Sequence, residues 1–142
     1  MTGREKMIAA LERKPISGRV PHFELVFYLT MEAFGKVHPS HRVYRQWDQM
    51  SENERKLHRN EMADIYIMTA ERFEHSAIFI HPNPNTEEEI KRLIDLIREK
   101  TGDEYFIMMH GDATYSIPTG NAMTEFSYRL VDDPDGLKKE AA

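Results

Sequence analysis

The chain has 142 residues, of which 40% are hydrophobic and 30% charged, and its formal net charge is -5 at pH 7. This acidic, ordinary globular composition gives no reason to expect nucleic acid as a partner, because a polyanion would be repelled. The chain contains no cysteine, which excludes disulfides and thiolate-based zinc sites within these residues.

The N-terminal residues predict a short helix. Thr2 and Glu5 have the spacing of a capping box, in which a hydroxyl and a carboxylate each bond a free backbone N–H at the start of a helix. Charged residues run through residues 1–13, where a signal peptide needs an apolar core, and no later stretch suits a bilayer-spanning segment. We therefore expect a cytoplasmic protein with no membrane partner.

The region after this helix predicts the first strand of a sheet, from Val20 to Phe27, although Glu24 interrupts its apolar character. The segment Leu29–Phe34 predicts a short helix that is closed by Gly35. Residues 37–47, which contain two histidines and a proline, predict an irregular connection.

Two amphipathic helices and two further strands follow. The helices run from Ser51 to about Phe73 and from Thr86 to Lys100, and each starts with a Ser/Thr-x-x-Glu capping box and has one apolar face. The apolar runs Ala77–Ile80 and Tyr105–Met109 do not alternate with polar residues, which favours strands buried on both faces. Gly102 is placed to end the second helix in a left-handed conformation.

Strands separated by helices of this length are joined by right-handed crossovers, which makes the sheet parallel. The sequence therefore predicts an α/β fold, with a last helix that starts at Asp133 and Pro134. Three parallel strands leave an open sheet edge, and a closed eight-stranded barrel needs about 250 residues. We expect residues 1–142 to be a single partial domain, the N-terminal part of a (β/α)8 TIM barrel that is not closed within this chain. Alternatively, a homo-oligomer covers the open sheet edge.

Candidate site residues follow the predicted strands, because ligands of parallel α/β folds bind at the carboxyl ends of strands. His81 follows the second strand, and His110 and Asp112 follow the third, before a polar loop over residues 113–121 that is suited to binding a polar ligand. An imidazole there can exchange a proton or bind a metal, and a carboxylate can orient it. We predict His110, Asp112 and His81 as catalytic candidates, against the alternative that His110 bonds a neighbouring loop and Asp112 caps a turn.

The remaining histidines are weaker candidates. His22 lies inside the first predicted strand, where it points into or just outside the barrel. The others are expected to be solvated or packing residues with nothing that ties them together: His38, His41, His58 and His75. No phosphate loop, nucleophile elbow, His-Glu-x-x-His pattern or calcium-loop spacing is present in the sequence.

The N-terminal sequence resembles the start of uroporphyrinogen decarboxylase-like proteins. In that superfamily a short helix, here Thr2–Leu11, leads into an Arg-Val-Pro that begins the first barrel strand, here Gly18-Arg19-Val20-Pro21. The segments His110-Gly111-Asp112-Ala113-Thr114, Ile117-Pro118 and Glu125-Phe126-Ser127-Tyr128-Arg129-Leu130 are similar to the corresponding region of divergent members. The resemblance spans nearly all of the chain and would cover less than half of a complete family member.

The resemblance implies a (β/α)-barrel with a small-molecule substrate and one of two chemistries, either tetrapyrrole decarboxylation or zinc-dependent methyl transfer that involves corrinoid proteins and a thiol acceptor. The decarboxylases carry an Arg-x-x-x-Arg pair after the first strand and an Asp after the second. In this chain, residues 24–36 contain no arginine, and the second strand ends in His81-Pro82-Asn83. A highly carboxylated substrate would lose its bidentate partners here.

The resemblance therefore favours a corrinoid/thiol methyltransferase-like enzyme with a corrinoid protein as partner, and a tetrapyrrole decarboxylase with uroporphyrinogen decarboxylase activity is the alternative. In the methyltransferase branch the zinc ligands are a His and cysteines that would lie beyond Ala142, so no cofactor or metal ligand is expected within this segment. A third alternative is a non-catalytic truncated product or an interaction module that hides its open edge by oligomerising. We expect the segment alone to be inactive as an enzyme.

Overall fold

The structure, a computed structural model, describes residues 1–25, 27–81, 84, 86–110 and 118–140. Two short 3₁₀ turns lie in the connection between the second and third helices, where an irregular segment was predicted. In chain order the described elements are α1 (Gly3–Leu11), α2 (Thr30–Phe34), α3 (Glu52–Arg72), β1 (Ala77–Ile80), α4 (Glu87–Thr101), β2 (Phe106–Met109), α5 (Asn121–Asp132) and α6 (Pro134–Glu140).

The two strands form a small parallel sheet that α4 connects. Ala77 of β1 lies opposite Phe106 of β2, and the register runs on to Ile80 opposite Met109. All four residues of β1 are buried, as expected for an apolar strand covered on both faces. The same expectation was wrong for β2, which is only partly buried and ends in the exposed Met109. The predicted α/β organisation with parallel strands is confirmed, and the described part of the chain is mostly helical.

The segment from residue 20 to residue 27 does not form the predicted strand in its described part. Pro21 has no N–H to give to a ladder. A backbone hydrogen bond does join the segment to the residue before β1, from the Ser76 N–H to the His22 carbonyl at 2.8 Å. A single backbone hydrogen bond does not make a regular ladder of strand pairing. The strand predicted from the apolar character of this segment was therefore wrong in its described part.

This segment nevertheless runs beside β1 in the same direction. Its His22 meets the residue before β1, while the ring of Phe23 stacks on Phe79 with centroids 6.2 Å apart. Further along, the Leu25 carbonyl bonds the imidazole of His81, the residue after β1. One backbone hydrogen bond and these side-chain contacts therefore hold the segment where a sheet ladder was predicted.

The core lies between the sheet and the helices α3 and α4. The third helix contributes residues at three- and four-residue spacing, which gives it the apolar face expected from its sequence. The buried cluster consists of Trp47, Met62, Ala63, Tyr66, Ala70, Ile78, Ile80, Leu93, Ile97 and Tyr105.

Helix α1 packs across the amino-terminal ends of the strands. The N–H of Arg4 donates to the Glu104 carbonyl, just before β2, at 2.8 Å. A Cβ atom on Gly3 would lie 3.0 Å from the Cα of Ser76, so this close approach favours glycine, and a larger residue would have to displace the Ser76 backbone slightly. The amino ends of β1 and β2 are thus covered, and their carboxyl ends lead to His81 and His110.

The predicted helix caps are formed with one exception. Both reciprocal bonds of the capping box are present at the start of α1 and of α3. At α4 the Thr86 hydroxyl accepts the Glu89 N–H at 3.3 Å, but the Glu89 carboxylate accepts from Arg59 Nε at 2.8 Å. The reciprocal half of this box is absent because Glu89 forms an ion pair with the neighbouring helix.

The ion pair between Arg59 and Glu89 links α3 to α4 inside the protein. Their side chains are only 10% and 8% exposed, whereas Glu52, which also accepts from Arg59 at 2.6 Å, is 62% exposed. Buried charges of this kind are tolerated because each has a hydrogen-bonded partner.

Residues 1–110 and residues 111–142 form separate compact units. In the second unit, α5 and α6 contact each other, and α6 starts as predicted, with the Asp133 carboxylate accepting the Gly136 N–H at 3.0 Å. No helix was predicted over α5, and Asn121, assigned to a loop, is its first residue. The assignment of all 142 residues to one partial domain stays a prediction.

Replacing Arg59 with Met should lower the free energy of unfolding by about 2 kcal/mol, because the buried Glu89 carboxylate would keep only its longer contact with Arg92, at 3.5 Å. The double replacement of Arg59→Met with Glu89→Leu should recover most of this loss, since it leaves neither charge buried. Urea denaturation measures both values.

The matched control is Lys100→Met, which removes an ion pair with Asp64 whose side chains are 32% and 53% exposed. This change should alter stability by about 0.5 kcal/mol or less. Equal losses in the single and double variants would show that burial of the Glu89 carboxylate without its Arg59 partner is not the cause.

Candidate functional site

The carboxyl ends of β1 and β2 bring His81 and His110 side by side. Since Ile80 lies opposite Met109, the next residues along the two strands are also neighbours. The two imidazole centroids are 5.5 Å apart, and the ring planes meet at 68°. Two histidines that the sequence singled out separately therefore form one pair, whereas their catalytic role stays a prediction.

Both imidazoles lie against the ring of Phe79. Phe79 lies two residues before His81 and therefore shares its face of the strand. Its centroid is 5.4 Å from that of His81 and 4.8 Å from that of His110, with both histidines in edge-on contact. Phe79 is buried, His81 is half-buried and His110 is exposed. The histidine pair therefore packs against the apolar ring of Phe79, and its His110 side faces solvent.

Two hydrogen bonds fix His81. Its backbone N–H donates to the Tyr66 hydroxyl at 3.1 Å, and its Nε2 lies 2.6 Å from the Leu25 carbonyl oxygen. A carbonyl oxygen can only accept, so Nε2 carries a proton, and in the neutral ring Nδ1 carries the lone pair. Burial raises the pKa of Tyr66 to about 12, which keeps its hydroxyl protonated near neutral pH.

The third candidate, Asp112, lies outside the described residues, as does most of the polar loop that follows it. His22, the weakest candidate, is not part of the pair. Its Nε2 donates to the Phe73 carbonyl at 3.2 Å, and its ring contacts His75 edge-on at 5.2 Å. Because His22 lies beside the residue that precedes β1, it belongs to the amino-terminal side of the sheet.

His38 contacts a residue that also bonds the histidine pair, although we expected that nothing connects the remaining histidines. It is 4% exposed, and its Nδ1 accepts from the Ser40 N–H at 3.3 Å and lies 2.7 Å from the Ser40 hydroxyl. Its ring contacts Tyr66 edge-on at 5.0 Å, so one tyrosine contacts both His38 and the backbone of His81. The sequence signal was His38-Pro39-Ser40, an N-cap followed by proline at the first position of a 3₁₀ turn.

His75 is the second buried histidine of this region. Its ring lies between Phe27, with centroids 5.8 Å apart, and His22. Burial lowers the pKa of His75, and the charge that His22 can carry lowers it further. As a buried residue in an aromatic cluster it fits the packing role expected from the sequence, whereas His41 is exposed and His58 contacts Tyr44 and Trp47.

The described hollows do not enclose the pair. A hollow of about 760 Å³ at the end of α3 contains neither His81 nor His110, and one of its charged groups, Arg19, is paired with Glu74. A cavity of about 10 Å³ beside His38 and Phe79 is too small for a substrate. The larger hollow is lined by Arg19, Phe34, Met68, Glu71, Arg72, Phe73 and Glu74.

The described residues do not supply a three-ligand metal centre. Across residues 1–110 and 118–140, where the structure describes them, no three His, Asp or Glu side chains are grouped to hold a metal ion. A catalytic zinc needs three protein ligands, so the described residues alone do not form such a site.

Acidification should destabilise the protein through His38. Burial, with the charges of His41, His81, Arg42 and His75 nearby, lowers the pKa of His38 from 6.5 to about 4. Below pH 6.5 the unfolded state therefore binds more protons than the folded state, and stability falls as the pH drops from about 6.5 to 4.

The variant His38→Asn keeps a side-chain acceptor for the Ser40 N–H but cannot titrate. Urea denaturation across this pH range should show a decline about 3 kcal/mol smaller in the variant than in the wild-type protein. Parallel curves for the two proteins would mean that His38 does not cause the acid sensitivity.

Among the described helices, none is both long and apolar enough to cross a membrane. Comparisons with protein-family models, curated proteins and solved structures found no match for this chain. The geometry of the strand-end pair and the sequence resemblance are therefore the basis for the function proposed below.

Proposed function

We propose that this chain carries the first part of a uroporphyrinogen decarboxylase-like barrel and belongs to a corrinoid/thiol methyltransferase-like enzyme. The observation that carries the proposal is the pair of histidines at the carboxyl ends of two parallel strands. Substrates of α/β barrels bind at this edge. The sequence resemblance supplies the reaction class, and the pair supplies the site.

The fold supports the barrel part of the proposal. A parallel pair of strands is joined by the amphipathic crossover helix α4, and α1 covers the amino ends of both strands. Residues 20–25 run beside β1 in the same direction and reach the site through the Leu25 carbonyl. This arrangement is compatible with part of a barrel wall in which the substrate binds at the carboxyl ends of the strands.

Proton transfer is the chemical role that suits the pair. In methyl transfer to a thiol, the sulfur forms a bond to the methyl carbon while the bond between that carbon and its donor breaks. The donor keeps the electron pair of the broken bond, and the thiol proton passes to a base. Nδ1 of His81 has the lone pair for this step in the neutral ring, because Nε2 donates to Leu25. His110, exposed beside it, can bind the polar part of the substrate. No step is assigned to zinc.

The test uses the complete product of the gene with methylcobalamin and a small thiol, and follows the loss of methylcobalamin absorbance. The variant His81→Gln should lower kcat/KM about a hundredfold, the usual range for loss of a general acid or base. His110→Ala should raise KM about tenfold, because it removes a contact with the substrate. Glutamine retains an N–H that can bond the Leu25 carbonyl. The control His58→Ala, at the Tyr44 and Trp47 contact, should retain wild-type turnover.

Wild-type turnover by both pair variants would remove His81 and His110 from the mechanism. Conversion of a uroporphyrinogen instead of methylcobalamin would establish the decarboxylase alternative. Turnover of neither substrate would favour the non-catalytic alternative, and the size of the protein in solution would then show whether it oligomerises.

A further inference from the structure

We propose that His81 and His110 form a two-imidazole binding site for a divalent transition-metal ion of the Zn²⁺ and Ni²⁺ class. The site uses the same pair as the proposed function but does not depend on it, because metal binding needs only the two rings. A bound ion would occupy the Nδ1 lone pair of His81, so metal binding and the proposed proton transfer are alternative uses of this nitrogen. It is also distinct from the zinc site that the resemblance implies, whose ligands would lie beyond Ala142.

The separation of the rings fits a shared metal ion. A tetrahedral zinc ion lies about 2.1 Å from each ligand nitrogen, which puts the centroids of two bound imidazoles roughly 5 to 5.5 Å apart. The centroids of His81 and His110 are 5.5 Å apart without any metal. Because His110 is exposed, its ring can rotate about its side-chain bonds to aim a nitrogen at the same point.

The hydrogen bond to Leu25 prepares His81 as a ligand. A metal-binding histidine almost always donates its other ring N–H to a carbonyl or carboxylate, which fixes the tautomer and the ring orientation. In this structure Nε2 lies 2.6 Å from the Leu25 carbonyl oxygen, and Nδ1 is the nitrogen with the lone pair. The Tyr66 hydroxyl holds the backbone of the same residue. The hydrogen bonds that would orient His81 as a metal ligand are therefore already formed.

The ligand type sets the class of metal. Imidazole nitrogens suit zinc, nickel and copper, whereas magnesium and calcium prefer oxygen. Within the described residues no third protein ligand joins the pair. Water or a substrate atom would complete the coordination, as at the open position of a catalytic site.

A second histidine pair provides an internal comparison. His22 and His75 have centroids 5.2 Å apart, and Nδ1 of His22 is buried without a hydrogen-bond partner among the described residues. However, His75 is only 9% exposed. A cation would have to reach a buried ring there, so we assign the metal to the pair that includes the exposed His110.

The experiment is calorimetric titration of the chain with ZnCl₂ in a non-chelating buffer, and MgCl₂ serves as the hard-cation control. The wild-type protein should bind one zinc ion per chain and no magnesium. His110→Ala should weaken zinc binding about tenfold or more, since one of two ligands is lost. This variant keeps the bond from His81 to Leu25, so amide NMR spectra should show an unchanged fold.

The matched control is His75→Phe, which replaces one ring of the buried pair with another that suits its aromatic surroundings. It should bind zinc like the wild-type protein. Wild-type affinity in His110→Ala, or loss of binding only in His75→Phe, would overturn the proposal. Neither result depends on methyl transfer, so failure of the turnover assay and failure of metal binding are separate findings.

Discussion

The parallel register of β1 with β2 is the constraint on which the candidate site depends. Ile80 lies opposite Met109, and this pairing alone makes the next two residues, His81 and His110, neighbours on one face. A slip of one residue would turn His110 to the other face, because side chains alternate along a strand. The core that α3 and α4 pack onto the sheet maintains this register, and the buried ion pair between Arg59 and Glu89 joins those two helices.

Much of the fold was predictable because its signals are local. Capping residues and three- to four-residue apolar spacing located α1, α3 and α4, and apolar runs located both strands. The segment after Pro21 was misjudged because side-chain contacts, which sequence patterns do not reveal, hold it beside β1. Similarly, the capping-box pattern predicted that the Glu89 carboxylate bonds the backbone N–H of Thr86, and only the packed structure shows that it accepts from Arg59 and Arg92 instead.

The candidate site was predictable in position and unpredictable in detail. The position of a histidine directly after a buried strand identified His81 and His110, but their contact depends on the register. His38 was missed as part of this region because its importance comes from burial against Tyr66, a residue 28 positions away in sequence. Environment separates the histidines physically. Burial keeps His38 neutral, whereas solvent reaches His110.

The acceptor that orients the His81 imidazole is a main-chain atom, and this has an evolutionary consequence. The Leu25 side chain is 47% exposed and takes no part in the bond, so many amino acids at this position would present the same carbonyl. Residue 25 can therefore be substituted among homologues while the orientation of the His81 imidazole is conserved. Comparison of side-chain identities would overlook this contact, and comparison of backbone paths would recover it.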